Sequence, residues 1–457
     1  MLVAIGNPRP AKVPWSAHLA ESSAGFAICA AGLRIRIHSP DSRAFMTDFP
    51  HIDWTEANHA YSARWRSEAG VPAPKRVVIV GDDTTADDAY HLASEGSALL
   101  YRGDFQNARQ LLQAIARRIE QKPRRAKRWK GAPASASPPE APGAAFNRHR
   151  LAQSQRARTL GAVLVPLAAD YSVPLRRAPD VRLACEQTYG PASVGGAIAT
   201  TSVNSGDIAD AALIAASAAP IVAVVSLREL LGLIGAYEWR KKGVEVPAAG
   251  GRIHPHYGVF SPVRGEYIDL VASAPLPSTE LAFDIGTGTG VLAVVLAQRG
   301  VKHIVATDCD PRALACATEN VKRLGFADRV SVVSADLFPP GQAPLIVCNP
   351  PWVPARPSSP IESAVFDPES RMLLGFLKGL REHLSPGGEG WLILSDFAEH
   401  LGLRPKSVLE DAITAGGLTV IARHDIKPVH PRSSDRDDPL HKARAAELTS
   451  LWRLGVA

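Results

Sequence analysis

The chain has 457 residues, 46% of them hydrophobic and 21% charged, the composition of a folded globular protein too long for one ordinary core; two or three domains are implied, and fibrous or disordered classes are excluded. The net charge of +6 hides an asymmetry, because residues 252–457 hold 21 Lys/Arg against 23 Asp/Glu and the whole basic excess lies in the first 251. Five cysteines (Cys29, Cys185, Cys309, Cys316, Cys348) are odd in number and lack Cys-x-x-Cys spacing, which speaks against a disulfide framework or zinc site and for a reducing, cytoplasmic setting.

Residues 1–70 are broken by prolines and show only short apolar runs, so no element or chemistry is assigned to them. The stretch Ala24 to Leu33 follows Glu21 and not a basic flank, and no signal peptide is expected. Arg76 to Gly81 reads as a buried strand. Asp104 then caps a helix from Phe105 to about Gln121, with apolar residues at 105, 108, 111, 112, 115 and 116 and Pro123 beyond its end. These elements make a small α/β lobe.

Next, Lys122 to Lys130 carries six basic residues in nine and leads into the Ala/Pro/Ser-rich Gly131 to Ala145, which reads as a linker. Residues 121–158 contain ten Lys/Arg and one acid, Glu140. Such a run is either a solvated face or, with Trp129 available for stacking, a contact to a nucleic-acid or ribosomal partner through residues 122–158. Ala162 to Ala168 resumes strand character, and a helix follows near Val181 to Thr188. Ala211 to Leu227, interrupted by Pro220, reads as a buried helix followed by the strand Ile221 to Val225, so no membrane span is expected. Ser226-Leu-Arg-Glu229 has capping-box spacing ahead of a helix that ends near Lys242 and Gly243. The expected division is a lobe over 1–121, a basic linker over 122–146, a second accessory region over 147–251 and a C-terminal domain over 252–457.

The C-terminal region holds the densest signals. His254 and His256 flank Pro255 without a nearby acid, and no metal site is expected. Leu281-Ala-Phe-Asp284-Ile-Gly286-Thr-Gly288-Thr-Gly290 reads as a strand ending in an acid and a triple-glycine turn; Val291 to Arg299 has helical spacing and Gly300 as its stop. Val291 stands where a dinucleotide fingerprint needs its third glycine, and no Gly-Lys-Ser/Thr ending is present, so neither phosphate-binding loop fits. Three further strands are expected: His303 to Asp308, Val330 to Asp336, and Leu345 to Asn349. The last runs into Asn349-Pro350-Pro351-Trp352. Four successive strands therefore place Asp284, Asp308, Asp336 and Asn349 at the carboxyl edge of a parallel sheet, where such sheets bind ligands. A helix from about Pro368 to Leu384, the turn Pro386-Gly387-Gly388, the strand Trp391 to Ser395, a further helix and strands at Leu418 to Ala422 and Leu448 to Leu454 complete the pattern.

An acid followed by Gly-x-Gly-x-Gly at the end of a first strand resembles the S-adenosylmethionine site of the class I methyltransferases, and the resemblance covers residues 252–457. It implies an α/β fold: a C-terminal Rossmann-like, seven-stranded methyltransferase domain with an N-terminal α/β accessory region. It further implies that Asp284, Gly286, Gly288, Gly290, Asp308, Asp336 and Leu337 hold S-adenosylmethionine, with Asp308 at the ribose hydroxyls and Asp336 at the adenine amino group. Asn349, Pro350, Pro351 and Trp352 resemble the catalytic Asn-Pro-Pro-aromatic motif of the protein-glutamine and RNA guanine/adenine N-methyltransferases. Asn349 and the Pro350 carbonyl would then accept the N–H groups of a planar target nitrogen, with Trp352 stacking on the target. Trp352 departs from the Tyr or Phe usual in that family. Gly258 to Leu270 resembles the family's pocket-covering segment but departs from its Pro-Arg-x-Glu-Thr-Glu-like run, leaving Arg264 and Glu266 as candidates or as an ordinary ion pair. The implied target is macromolecular, a protein glutamine or an RNA or DNA base, with translation-related substrates common to both. A catalytically degenerate scaffold and a small-molecule methyltransferase are the alternatives.

Overall fold

The computed structural model describes residues 49–120, 141–192, 221–429 and 435–457, all within one compact unit, Phe49–Ala457. The chain before Phe49, most of the basic linker and the helix expected after Ala211 lie outside the described residues.

The N-terminal region is a six-stranded sheet. Strands β1 (His51–Glu56), β2 (His59–Arg66), β3 (Val77–Val80), β4 (Ala98–Tyr101), β5 (Val163–Ala168) and β6 (Ile221–Ser226) are ordered β1-β2-β6-β5-β4-β3. Neighbours β3, β4 and β5 are parallel, whereas β6 runs antiparallel to β5. Helices α1 (Ala86–Ser94), α2 (Phe105–Glu120), α3 (Ala144–Gly161), α4 (Arg182–Tyr189) and α5 (Leu227–Lys242) accompany it. Side-chain alternation divides the strands between two cores. Leu99, Tyr101, Val163, Val165 and Leu167 pack with Phe105, Leu112, Ile115 and Leu230 from the helices, while Leu100, Leu164 and Val224 pack with Ile52, Trp54 and Trp65. Because both faces of β4 and β5 are covered, these strands read as continuous apolar runs.

Two sequence expectations change here. The β1–β2 hairpin, absent from the reading of residues 1–70, turns on Ala57 and Asn58, both at positive φ, as a two-residue hairpin turn requires. The capping box is not made: Ser226 begins α5 without a side-chain cap, and its buried hydroxyl has no partner. Glu229 Oε1 instead accepts from the Glu68 amide and the Tyr189 hydroxyl, each at 3.0 Å. Tertiary partners outcompete the local amide, and burial raises the Glu229 pKa.

A short ribbon of β7 (Val244–Val246) and β8 (Gly251–Ile253) leads to the second sheet. Its strands are β9 (Leu281–Ile285), β10 (His303–Asp308), β11 (Val330–Ser334), β12 (Ala343–Cys348), β13 (Leu384–Ser395), β14 (Leu418–Ile426) and β15 (Thr449–Val456), ordered β11-β10-β9-β12-β13-β15-β14. The first five are mutually parallel and β15 is antiparallel to both its neighbours; this is the expected seven-stranded mixed sheet. Its helices are α6 (Glu266–Ser273), α7 (Val291–Gln298), α8 (Pro311–Arg323), α9 (Arg371–His383), α10 (Phe397–His400), α11 (Lys406–Ala415) and α12 (His441–Ala446). Helices α6 and α7 share one core with Ala282, Ile304, Leu345 and Val347; α9 and α11 share the other with Phe283, Ile285, Ile346 and Cys348. Val291 to Ala297 are all buried, so α7 lacks the polar face of a surface helix. Strand order reverses between adjacent β9 and β12, a topological switch point whose carboxyl side opens a crevice.

The two sheets meet through specific pairs. Arg312 bonds Glu68 and Arg240 bonds Glu319, both at 2.5 Å, and Arg150 of α3 bonds Glu362 at 3.0 Å. Phe146, near the start of α3, packs with Val353, Phe397 and Phe366. Among the described residues, no helix is long and apolar enough to cross a membrane.

A working serine cap contributes about 1 kcal/mol, so the Ser226→Ala variant separates the two readings of this helix start. Because the hydroxyl is buried and unpaired, its removal should leave the urea midpoint unchanged or raise it. A fall on the scale of a lost cap would mean that the hydroxyl does bond the helix.

Candidate active site

The loops that leave β9 and β12 form the site, and a buried carboxylate organises the first. Asp284 is enclosed at the end of β9, where its Oδ2 accepts from the Thr287 hydroxyl at 2.6 Å and the Ala293 amide at 3.1 Å. It thereby ties the glycine turn to the first turn of α7. The Thr287 amide donates to the Thr307 carbonyl at 2.8 Å and the Gly288 amide to Asp308 Oδ2 at 2.9 Å, which fastens the same turn to β10. Asp284 does not line the cleft, so its expected role in cofactor binding is indirect: it shapes the loop.

The glycines differ in what surrounds them. At Gly290, φ is +79° and a Cβ would lie 3.2 Å from the Ala317 Cα, so this position serves close packing against α8. At Gly288, φ is +56° and a Cβ would meet nothing within 4 Å, although the residue lines the cleft. The backbone is bare there and faces open space. Gly286 gives room to the Met372 side chain of α9.

Asp308 ends β10 on the cleft wall. Its Oδ1 accepts from the Asp310 amide at 3.0 Å, and burial raises its pKa. Asp310 in turn caps α8 through the Arg312 amide at 2.8 Å, with Pro311 in the first helical position. Asp336 stands at the rim, 3.5 Å from Arg371 with both side chains largely exposed, a pair worth little in water. Leu337 takes a positive φ of 73°, and its carbonyl accepts the Thr307 hydroxyl at 2.6 Å.

The second loop carries Asn349, Pro350, Pro351 and Trp352, all on the cleft wall. Trp352 Nε1 donates to Asn349 Oδ1 at 2.9 Å. Its partly buried ring touches three apolar clusters, one on each face of the second sheet and one around Phe146, Val353 and Phe397. The wedged ring is therefore less free to act as the expected stacking platform. Val353 is fastened to the following loop by its amide to the Val365 carbonyl and its carbonyl to the Asp367 amide. Asp367 then accepts the Met372 and Leu373 amides at 2.8 and 3.3 Å, starting the helix whose Met372 sits against Gly286. The two loops of the site are thus mechanically joined.

The cleft between them has a volume of about 2480 Å³ and continues onto the N-terminal region, where Ser94 to Ala98 and Gln153, Ser154, Ala157 and Arg158 contribute to its walls. Small-molecule sites occupy roughly 300 to 1,000 Å³, so this space exceeds one small ligand. The bare backbone at Gly288 beside Asp308 and Leu337 fits an adenosyl group, which those residues would hold.

Three other expectations are altered. Arg264 lies 3.8 Å from Glu447, and Glu266 accepts the Val429 amide at 2.6 Å, so no Arg264–Glu266 pair is seen. Glu447, which the sequence reading missed, is a buried cleft residue whose carboxylate accepts the Ser395 hydroxyl at 2.8 Å and whose pKa is raised by burial. Of the basic segment 121–158, residues through 140 lie outside the described ones. In the remainder, Arg150 pairs with Glu362 and Arg156 with Glu120. His256 bonds Glu319 and His254 bonds the Arg240 carbonyl; no cluster of metal-ligating side chains occurs among the described residues.

A family model described as ribosomal protein L11 methyltransferase matches residues 272–350, from α6 to the tetrapeptide. The chain is 39% identical over 130 residues to the release factor glutamine methyltransferase of Cereibacter sphaeroides, covering 28% of this chain and 43% of that one. It is 31% identical over 144 residues to the tRNA1(Val) (adenine(37)-N6)-methyltransferase of Shewanella loihica, covering 29% and 59%. The C-terminal region has the fold of a class I S-adenosylmethionine-dependent methyltransferase domain. A ribosomal protein L11 methyltransferase of Pelotomaculum thermopropionicum is 45% identical over 69 residues, covering 15% of this chain and 22% of that relative. The methyltransferase domain thus spans only about half the length of the first two relatives, 43% and 59%.

In this methyltransferase domain, Gly288→Val should abolish calorimetric binding of S-adenosylmethionine by projecting a branched side chain into the cleft. Gly290→Ala should instead lower the melting temperature through the clash with α8. Equal cofactor binding by the parent and Gly288→Val would remove this loop from the cofactor site.

Burial pushes the Asp284 carboxyl up to about 6 from 3.8, against the opposing Thr287 and Ala293 bonds. A carboxyl whose native pKa is raised adds stability that is fully present below its unfolded pKa and is lost as pH rises through the native one. Between pH 3.8 and about 6, the parent should therefore lose stability through this group. Asp284→Asn, which keeps an acceptor, should flatten that part of the melting-temperature profile.

Proposed function

We propose that the protein is an S-adenosylmethionine-dependent N-methyltransferase acting on a planar nitrogen of a macromolecular, translation-related target in the cytoplasm, and that a protein glutamine amide is the preferred acceptor. The observation that carries this reading is the placement of Asn349 and Pro350 in the same cleft as the bare Gly288 backbone, on adjacent parallel strands at the switch point. When bound, the cofactor supplies an electrophilic methyl group on a sulfonium. The chain's own task is then to align the nitrogen and hold it against a wrong approach.

An amide or aromatic amino nitrogen is a poor nucleophile because its lone pair is delocalised. The Asn349 side-chain oxygen and the Pro350 carbonyl can each accept one N–H and favour positive charge developing on the nitrogen. Pro350 and Pro351 stiffen the turn that presents these oxygens. Gly286, Gly288, Asp308, Asp336 and Leu337, which line the cleft, would hold the cofactor directly, with Asp284 and Gly290, expected from the sequence to join them, instead shaping the loop beneath. The described residues of the N-terminal region that line the cleft, Ser94 to Ala98 among them, would form the accessory wall for target recognition.

The charge of the cleft supports a protein acceptor over a nucleic acid. Eleven carboxylates and six arginines line it among the described residues, an unfavourable field for a phosphate backbone. The similarity to a release factor glutamine methyltransferase supports the same choice.

Methyl-labelled cofactor should be offered with purified release factors, tRNA and ribosomes side by side, and the products digested to identify the methylated group. Label on glutamine is the expected result; label on adenine in tRNA would replace the amide with a base. Asn349→Ala should lower turnover by about two to three orders of magnitude while leaving cofactor affinity nearly intact. Asn349→Asp should be nearly as damaging, because a carboxylate alters the field around the sulfonium. A fully active Asn349→Ala enzyme would sink the planar-nitrogen reading.

A further inference from the structure

The expected role for Trp352 is stacking on the target, yet its one polar atom is committed elsewhere. The indole N–H is a donor with no accepting capacity, and it lies 2.9 Å from Asn349 Oδ1. Its partner must therefore be the amide oxygen, so the chemistry of the indole decides which way the Asn349 amide is turned. A half-turn of that amide would set NH2 against indole N–H, donor against donor. It would also present N–H groups where an incoming N–H needs an acceptor.

The indole can impose this because it is itself held. Its ring packs against the cores on both faces of the second sheet and against the cluster that holds Phe146, Val353 and Phe397. Rotating the ring toward the cleft would open all three. A carbonyl oxygen has two lone pairs; the indole uses one and leaves the other for the target. We propose that Trp352 is a positioning residue, whose N–H locks the Asn349 side chain with its oxygen available to the target N–H.

This inference rests on the methyltransferase reading, and its consequences differ from those of stacking. A stacking residue contributes mainly to acceptor binding, so Trp352→Phe would keep most activity or raise the acceptor KM. A positioning residue acts through Asn349. Trp352→Phe keeps an aromatic ring but removes the donor, and the amide must then be ordered in each catalytic event. We expect kcat to fall about ten-fold, with acceptor KM and cofactor affinity unchanged.

The test has two arms. In the first, the indole N–H signals of 15N-labelled protein are recorded, and the Trp352 signal is identified by its loss in Trp352→Phe. Its exchange with solvent should be slow in the parent and about ten-fold faster in Asn349→Ala, which keeps the tryptophan. Unchanged exchange would show that the bond is not made in solution and would overturn the proposal.

The second arm is a double-mutant cycle on methyl transfer to purified release factor. Trp352→Phe should lower kcat in the parent and have no further effect in the Asn349→Ala background. Independent, multiplicative losses, or a rise in acceptor KM alone, would assign stacking to Trp352 and overturn the positioning role. If release factor is not methylated and tRNA is, the cycle is run on tRNA; the glutamine reading then fails while the inference is still judged. If neither is methylated, the exchange arm decides whether the indole sets the Asn349 side chain.

Discussion

Strands β9 and β12 lie side by side and parallel, but the chain leaves their carboxyl ends toward opposite flanks of the sheet. That constraint makes the site. The loop after β9 must turn into a helix on one side and the loop after β12 must depart on the other, so a crevice opens between them that no intervening strand can fill. The glycine turn and Asn349-Pro350-Pro351-Trp352 are these two departures. Residues 291–348 separate them in sequence, yet the register pairs Cys348 directly with Ile285, so the next residue along each strand belongs to the site.

Holding such a crevice open requires rigid loops, because unpaired backbone at a sheet edge would otherwise find its own partners. The molecule supplies them through carboxylates whose bonds point into the protein. Asp284 ties the glycine turn to α7, Asp308 ties it to β10, Asp310 starts α8 and Asp367 starts α9. Desolvation raises the pKa of Asp284, Asp308 and Asp367, a cost the loops accept in return for fixed geometry. Around Trp352 the same end is reached with apolar contacts, and a single indole N–H holds the Asn349 side chain.

The N-terminal sheet is joined to this framework by a few pairs and one aromatic cluster. Arg150 and Phe146 of α3 bring the region that follows the basic linker against the loop after the tetrapeptide. Thus the basic residues at the C-terminal end of segment 121–158 are partly used in intramolecular pairing. The resulting cleft has walls from both regions, and among the described residues its lining holds more carboxylates than arginines.

How much of this was legible depended on the range of the interactions involved. Strand periodicity, the glycine spacing, the helix stop at Gly300 and the Asn-Pro-Pro-Trp run are local, and each carried its element and its place at the sheet edge. The β1–β2 hairpin was missed because its turn, Ala57-Asn58, lacks the glycine that marks most such turns. Ser226 and Glu229 have the spacing of a capping box, but Tyr189 and the Glu68 amide take the glutamate away. Arg264 has Glu266 two residues along and instead stands by Glu447, which comes from the far end of the domain.

By itself, therefore, the sequence determined the seven-stranded domain, its edge carboxylates and the two loops, because backbone propensity and side-chain period act over a few residues. Only the tertiary structure decided which acid faces the cleft and which braces it, where Trp352 directs its N–H, and what walls enclose the cleft. Those outcomes depend on which groups compete for one donor or one buried volume, and the competitors come from distant parts of the chain.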